Sequence, residues 1–355
     1  MKFLSTENLI LAYKNALKSR KTKHEIYIFN QNLEKNLKNI LSDLQNRIYT
    51  HWSYKYFSLC DSKKRYISSP IFRDHILHHM IYNICYDVLD KRMIYNSFAT
   101  RKWKWLHQWL HYIVSKIKSQ KNNQNLWYLK IDISKYFYSI NHDVLKQKIS
   151  KYIKNSDVLY AIQLVINSYQ TSSLFDSLFA KQSDYRKTKS KWVPIWALYS
   201  QLFANFYLSE IDRYIVQQIK PQIYARYMDD FVFLDTKERL QQIKLSVIKK
   251  IEEHKLVVVP KKTQINTLKH WISFLWFKIQ SIWSKLHISV NSKNKKKFRK
   301  SVDTIKSLEY DHISRQDKKR IISVFESRKW IFKHTGDTER YFKNLPNTPI
   351  NLQNK

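Results

Sequence analysis

Glycine is almost absent from this chain of 355 residues, which contains a single one, Gly336. Glycine usually makes up about 7% of a protein, because it enters left-handed backbone and lets the main chain approach a ligand closely. The same chain contains eleven tryptophans. Tight turns therefore have to be made from other residues, and the excess of tryptophan needs an explanation of its own.

Cysteine and long apolar runs are also scarce. Cys60 and Cys85 are the two cysteines, and they form neither a CxxC metal pattern nor a disulfide framework, which favours a reducing cytosol and predicts a cytoplasmic protein. No apolar run approaches the roughly 20 residues that span a bilayer. The N-terminus lacks the apolar stretch of a signal peptide. These absences predict that the protein has no membrane partner.

Acidic residues are few relative to basic ones. The chain has 28 Asp and Glu against 64 Lys and Arg, a formal charge of +36, which indicates a polyanionic partner such as nucleic acid. Lysine enrichment in an AT-rich genome would explain part of this excess. The hydrophobic content of 43% excludes wholesale disorder and predicts a globular protein with a sizeable core.

Hydrophobic periodicity predicts several helices and one basic hairpin. Apolar residues at helical spacing predict helices over residues 7–18, 31–44 and 71–89. We expect His75, His78 and His79 of the third helix to lie on its surface or to face RNA. Residues 54–70 contain two strand-like runs joined by a basic turn, where Lys63 and Arg65 are suited to binding a triphosphate. A solvated basic turn is the alternative.

Two adjacent acids interrupt a strand-like stretch near residue 230. Residues 223–228 and 231–234 are β-prone and flank Asp229 and Asp230, a pattern typical of a hairpin with carboxylates at its tip. Adjacent carboxylates repel each other, so they are best explained where a multivalent cation neutralises them. The alternative is an ordinary Asp-Asp turn.

A third acid upstream favours the metal interpretation. Asp132 lies near the end of the apolar run of residues 128–133, which is followed by a turn and by a helical pattern from His142. One Asp at a strand end and two at a hairpin tip can gather three carboxylates around two divalent cations. Such a site activates a 3′-hydroxyl and stabilises a pyrophosphate leaving group.

These motifs carry a resemblance to a known family. Tyr227-Met228-Asp229-Asp230, preceded in the chain by Asp132 and Tyr136-Phe137, resembles the two catalytic motifs of reverse transcriptases, in the right order. The helix start at Phe72-Arg73-Asp74 resembles that of bacterial retroelement enzymes. The resemblance covers roughly residues 5–345, and a non-catalytic RNA-binding relic of a polymerase is the competing interpretation.

The resemblance implies an α/β (α+β) fold of the right-hand polymerase type. Residues 1–125, with 170–205, would form the fingers, and residues 126–285 the palm, an antiparallel sheet backed by helices. Residues 286–345 would form a helical thumb, and 346–355 a tail. Within the thumb, residues 292–329 combine many Lys and Arg with spaced apolar residues, which suits helices that follow a template–primer backbone. A solvated charged bundle is the alternative there.

The resemblance also implies a role for each site residue. Asp132, Asp229 and Asp230, with the backbone carbonyl of Ile133, would hold two Mg²⁺ ions, for which Mn²⁺ could substitute. Other residues would contact the nucleotide and the leaving group. Lys63 and Arg65 would bind the triphosphate, Phe137 would be the steric gate against a ribose 2′-hydroxyl, and Ile195 and Gln201 would belong to the nucleotide pocket. Lys262 would be the acid that protonates pyrophosphate.

One segment points to a subfamily. Pro194-Ile195-Trp196 followed by Ser200-Gln201 resembles the Ile-Gly and Ser-Gln pattern of diversity-generating retroelement reverse transcriptases, whereas retron and group II intron enzymes show Gln-Gly and Ser-Pro. Membership implies error-prone copying of a template-repeat RNA at adenines, with the cDNA replacing a variable region of a target gene (mutagenic retrohoming). The partners would be template RNA, cDNA primer, dNTPs and a small basic accessory protein. Retron, group II intron or defence-type enzymes are the alternatives.

Tryptophan replaces glycine at the family's glycine positions. The positions are Trp103, Trp105, Trp192, Trp196, Trp271, Trp276 and Trp330. We hypothesise that the gene comes from an organism that reads UGA as glycine and that UGA was translated as tryptophan in this sequence. A decayed, inactive enzyme is the rival explanation, although decay would scatter its damage and the motif acids are intact.

Overall fold

The computed structural model describes residues 1–18, 24–52, 54–60, 64–120, 126–168, 198–282, 285–306, 314–333 and 335. The helices in these ranges are α1 (Thr6–Ala16), α2 (His24–Gln31), α3 (Leu33–Gln45), α4 (Phe72–Asp90), α5 (Leu106–Lys118), α6 (Tyr136–Ser139), α7 (His142–Ser150), α8 (Ser156–Asn167), α9 (Leu198–Tyr207), α10 (Ser209–Tyr214), α11 (Lys237–Glu253), α12 (Ser292–Lys306) and α13 (Arg315–Phe332). The strands are β1 (Lys55–Cys60), β2 (Lys64–Ser69), β3 (Trp127–Asp132), β4 (Ile223–Tyr227), β5 (Asp230–Asp235), β6 (Gln264–Thr267), β7 (Ile272–Phe274), β8 (Phe277–Ile282) and β9 (Lys285–Val290). The predicted mixture of helices and antiparallel sheet is confirmed.

The chain divides into two compact units. The first contains Met1–Trp109, Lys130–Val232 and Gln242–Gln264, and the second contains Leu110–Leu129, Phe233–Gln241 and Ile265–Lys355.

Helix α4 forms the centre of the first unit. It packs against α1, α8 and α9, and its side chains Ile76, Leu77, Met80 and Ile81 are fully buried. Burying four such side chains contributes roughly 6–12 kcal/mol of transfer free energy. The helices predicted over residues 7–18, 31–44 and 71–89 are confirmed as α1, α3 and α4, with ends shifted by one to two residues.

The expectation that the histidines of α4 face solvent or RNA is wrong for two of them. His78 is fully buried and His75 nearly so. The His78 ring stacks on His51 with a centroid distance of 5.4 Å and meets Tyr199 edge-on at 4.7 Å. A helix packed on several neighbours has no broad solvent face, so its polar residues are buried along with its apolar ones.

The basic hairpin predicted over residues 54–70 is also present. Strands β1 and β2 pair in antiparallel register from Lys55 opposite Ser69 to Cys60 opposite Lys64.

A four-stranded sheet has the order β4-β5-β3-β6. Strands β4 and β5 are joined by two residues, Met228 and Asp229, and Phe231 to Leu234 of β5 are fully buried. This is the hairpin that the sequence predicts around the adjacent acids. Strand β3 is the neighbour of β5, so the sheet order brings the Asp132 motif beside the hairpin.

The second unit contains an antiparallel sheet of order β7-β8-β9 and a helix pair. Helices α12 and α13 pack through Phe298, whose ring lies 5.7 Å from Phe325 and 4.6 Å from Phe332 between centroids. The exposed basic residues of α12 are Lys293, Lys296, Arg299 and Lys300. The helical pattern predicted for residues 292–329 is therefore confirmed in its described part.

Across the ranges that the structure describes, no helix combines the length and apolarity needed to cross a membrane.

Candidate active site

The acidic pair lies at the tip of the β4–β5 hairpin. Asp229 is in the two-residue connection, and Asp230 is the first residue of β5. Met228, the other residue of the connection, has a φ of 55°, a left-handed conformation that costs a non-glycine residue about 1 kcal/mol or more. The connection orients the two carboxylates at the cost of local backbone strain.

Asp132 ends strand β3, and the chain around it is fixed by a second segment. Val259 N donates to Asp132 O over 2.9 Å, and Ser134 N donates to Val257 O over 2.7 Å. Ile133, which lies between these two bonds, forms an antiparallel bridge with Val258 and is buried. The predicted metal-binding segment at residues 132–133 therefore has its backbone held on both sides.

The three acids influence one another electrostatically. Burial, together with the negative charges of Asp230 and Asp132, raises the pKa of Asp229 to about 7. Burial also raises the pKa of Asp230, where the charge of Asp132 adds to the effect and Lys130 opposes it. Carboxylates that disfavour their own ionisation are typical of a site that a cation completes.

Two lysines contact these carboxylates. Lys130 Nζ lies 3.4 Å from Asp230 Oδ1, and Lys262 donates a short hydrogen bond to Asp132 Oδ2. The hydrogen bond to Asp132 raises the pKa of Lys262. In the described ranges, no group of three His, Cys, Asp or Glu side chains is arranged to hold a metal ion. Two of the predicted ligands bind ammonium groups instead.

A buried arginine supports the hairpin from beneath. Arg226 of β4 is fully buried, as is Asp212 of α10. The guanidinium donates to both oxygens of Asp212, over 2.7 and 2.5 Å, and to Asn205 Oδ1 over 2.8 Å. It also donates to the carbonyl oxygen of Met228 over 2.7 Å. The left-handed residue before Asp229 is thus tied to a buried ion pair.

Phe137 follows Asp132 on the short helix α6. Its half-buried ring meets Tyr136 edge-on at a centroid distance of 5.8 Å. Tyr136 is buried, and its hydroxyl donates a short hydrogen bond to the carbonyl of Ala204 in α9. Tyr136 therefore anchors the short helix that carries Phe137, which follows Asp132 closely in the sequence.

The other predicted site residues are distributed as follows. Gln201 is half-buried in the first turns of α9. Arg65 lies in β2 opposite Leu59, and only its backbone is described. Lys63 and Ile195 lie outside the described residues, as do Trp192 and Trp196.

Sequence reasoning missed two charged residues of the site. Lys130 stands two positions before Asp132, and alternation along a strand places both on one face. Arg226 is a charge within an otherwise buried apolar strand, which requires a buried partner. Both signals are present in the sequence, but neither identifies the partner residue. The partner of Lys130 is Asp230, 100 positions away, and the partner of Arg226 is Asp212, 14 positions away.

Comparison with solved structures finds a similar chain in an apo telomerase from Candida tropicalis, truncated from its C-terminal domain. The match has 13% identity and a TM-score of 0.49, and it covers 67% of this chain and 55% of the telomerase chain. This protein thus spans about half the length of that relative.

Comparison with protein families gives a match over residues 55–279, to the family described as reverse transcriptase (RNA-dependent DNA polymerase). The matched region contains Asp132, Asp229 and Asp230 and both motifs in which they occur. Because the match extends over more than half of the chain, the protein belongs to the reverse transcriptase family.

Proposed function

We propose that the protein is an RNA-directed DNA polymerase that extends a primer along template RNA with dNTPs. The observation that carries this proposal is the site at the β3–β5 boundary. It combines a strand-end acid, Asp132, with two hairpin acids, Asp229 and Asp230, whose pKa values are raised by burial and by the charge of Asp132. Family membership supplies the reaction class.

The donor set fits divalent cations. It consists of carboxylate oxygens and a backbone carbonyl at Ile133, the hard ligands that Mg²⁺ and Mn²⁺ prefer. The ammonium groups on Asp230 and Asp132 show that both carboxylates take up positive charge. When bound, two Mg²⁺ ions would activate the primer 3′-hydroxyl and neutralise the leaving pyrophosphate.

The chain's own residues carry the other steps. Lys262 is about half exposed at the end of the turn Pro260–Lys262 and is held near the site by Asp132. Its ammonium can therefore donate a proton to departing pyrophosphate. Phe137 would act as the gate against a 2′-hydroxyl, with Gln201 and Ile195 in the nucleotide pocket. Lys63 and Arg65 would bind the triphosphate from the β1–β2 hairpin.

We assign the parts of a right-hand polymerase to the chain accordingly. Residues 1–125 and 170–205 form the fingers, 126–285 the palm, 286–345 the thumb and 346–355 a tail. The exposed lysines and Arg299 of α12 support this assignment, because a row of cations suits the phosphate backbone of a template–primer duplex.

Within the family, we propose a diversity-generating retroelement enzyme working with a small basic accessory protein in the cytoplasm. The segment from Pro194 to Gln201 supports this. Such an enzyme would misincorporate opposite template adenine. Ile195→Gln should then raise fidelity at adenine, since an aliphatic side chain cannot donate the hydrogen bonds of an amide. An unchanged error spectrum would favour a retron, group II intron or defence-type enzyme.

We further propose that several tryptophans of this sequence are glycine in the native protein. Trp103 has a φ of 63° and is 81% exposed. It occupies the third position of a turn closed by Lys104 N donating to Arg101 O over 3.2 Å, where positive φ favours glycine. Trp276 is also exposed and lies in the two-residue β7–β8 connection. Such connections ordinarily use glycine.

Primer extension on an RNA template tests the activity. The glycine-restored protein should extend a DNA primer in Mg²⁺, and variants with alanine at Asp132, Asp229 or Asp230 should not. RNA binding should survive in each variant, because it depends on many phosphate contacts by lysine and arginine. RNA binding without extension by the restored protein would instead identify a non-catalytic relic.

A further inference from the structure

Lys130 is fixed on the same surface as the acids. It lies in β3 two residues before Asp132, so both side chains project from the same face of the strand. Its ammonium reaches across to the neighbouring strand, 3.4 Å from the first carboxylate of β5, Asp230. About a quarter of each side chain in this pair is exposed.

The second lysine differs in its setting. Lys262 lies on a short 3₁₀ turn, and 53% of its side chain is exposed, twice the 26% of Lys130. A lysine on an exposed turn can withdraw when another cation arrives. A lysine in the middle of a sheet strand has less freedom to leave, so its charge remains close to the carboxylates.

We propose that Lys130 is a positioning residue that holds Asp230 and sets the concentration of divalent cation that the site requires. The proposal rests on the proposed polymerase function, because it assumes that the three carboxylates bind cations. With all three carboxylates ionised, as they are when they bind a cation, the two ammoniums leave this cluster with one net negative charge. Without Lys130 the net charge is two negatives, which attracts a divalent cation more strongly.

The size of the effect follows from Coulomb's law. A unit charge about 5 Å from a divalent cation changes the cation's binding by about tenfold even at the dielectric constant of water. If Lys130 only stabilised the fold and its charge were screened from the carboxylate site, its removal would leave cation affinity unchanged. Cation binding, measured without any nucleotide or template, therefore separates the two roles.

The test compares Mn²⁺ binding by electron paramagnetic resonance in the wild type and three variants. Lys130→Met removes the charge and keeps the chain length, and Lys130→Arg keeps the charge. Lys146→Met is the matched control, because its ammonium on α7 donates to Asn167. We expect Lys130→Met to bind Mn²⁺ about tenfold more tightly, while Lys130→Arg and Lys146→Met bind as the wild type does.

The Mg²⁺ concentration for half-maximal primer extension should fall in parallel in Lys130→Met. A Mn²⁺ dissociation constant in Lys130→Met within twofold of the wild-type value would overturn the role of Lys130. The Asp229→Asn variant separates a failure of the role proposed for Lys130 from a failure of the proposed function. If the wild type binds Mn²⁺ no better than Asp229→Asn, the carboxylate site itself is wrong and both proposals fall.

If Lys130→Met does not fold, Lys130→Gln replaces it. The melting temperature in EDTA identifies a folded variant, and the same tenfold change in Mn²⁺ affinity is expected. Unchanged affinity in a folded Lys130→Gln protein would equally overturn the role.

Discussion

The guanidinium of Arg226 donates to the carbonyl oxygen of Met228 over 2.7 Å, so a fully buried cation holds the left-handed residue that precedes Asp229. The same guanidinium is paired with Asp212 through both carboxylate oxygens. The geometry of the acidic hairpin is thus coupled to a buried ion pair in the core of the first unit.

Replacement of Arg226 by lysine should disturb both stability and the acidic hairpin. A lysine ammonium cannot make the two-pronged contact with Asp212 and also reach Met228. We expect a loss of about 3–5 kcal/mol in the free energy of unfolding, as for a broken buried ion pair, measured by urea denaturation. Under folded conditions, primer extension should slow by at least about tenfold, since small displacements of catalytic groups are costly.

Arg239→Lys is the control for that experiment. Arg239 is half exposed and pairs with Asp235 four residues away. We expect Arg239→Lys to lower the free energy of unfolding by under about 1 kcal/mol. Wild-type extension rates in folded Arg226→Lys would show that the bond to Met228 is dispensable.

The lowered pKa of Glu210 predicts that this carboxylate contributes to acid unfolding. Burial would raise the pKa of Glu210, but hydrogen bonds and charge from Lys148 and Lys151 outweigh it and lower the pKa to about 2. A lowered acid pKa stabilises the fold above the unfolded value near 4.5, and this stabilisation is lost as pH falls towards 2. Glu210→Gln should remove on the order of 2 kcal/mol at pH 7 and flatten stability between pH 4.5 and 2.

Urea denaturation at half-unit pH intervals measures this slope. Burial lowers the pKa of Lys148, but a lysine stays protonated throughout the acidic range. Burial also lowers the pKa of His254, whose Nε2 lies 3.3 Å from Glu210 Oε2, so His254 is the other group of this cluster that titrates there. The exposed acid Glu34, replaced by Gln, provides the control. An equal slope for wild type and Glu210→Gln would contradict the assignment.

Phe137→Ala should admit ribonucleotides. If the half-buried Phe137 ring blocks the space that a 2′-hydroxyl needs, its removal should raise the ratio of ribonucleotide to deoxyribonucleotide incorporation by roughly 10- to 100-fold. Single-nucleotide extension with each substrate measures the ratio. Tyr138→Ala, one position later on the same short helix, should leave the ratio near its original value. Equal discrimination by Phe137→Ala and the wild type would place the gate elsewhere.

Substitution of two different tryptophans by glycine distinguishes a recoded glycine from a true tryptophan. Trp103→Gly should be neutral or stabilising, because Trp103 is 81% exposed at a φ of 63°. Trp109→Gly should cost about 3–5 kcal/mol, because Trp109 is fully buried. Thermal unfolding measures both.

The gene itself provides a second test of recoding. UGA codons at the proposed glycine positions, with glycine seen by mass spectrometry of the native protein, would agree with it. UGG codons there would leave tryptophan as the natural residue and favour an inactive relic.

Local pattern was sufficient to predict much of the fold. The β4–β5 hairpin, the β1–β2 hairpin and helices α1, α3 and α4 follow from alternation, from helical spacing and from turn residues, all of which act over a few positions. The histidines of α4 show the limit of such reasoning. Periodicity predicts a helix there, but the number of neighbours that cover it decides that His75 and His78 are buried.

The sequence by itself determined the candidate residues for the chemistry. Asp132, Asp229 and Asp230 are recognisable from motif and order, because the proposed reaction needs carboxylates on a strand end and on a hairpin tip. Tertiary structure alone decided which cations those carboxylates meet and what holds them in place. Lys130 reaches Asp230, Lys262 reaches Asp132, and Arg226 reaches Asp212 and Met228. The two pairs made by the lysines join residues at least 100 positions apart in the chain, so the fold rather than local sequence brings them together.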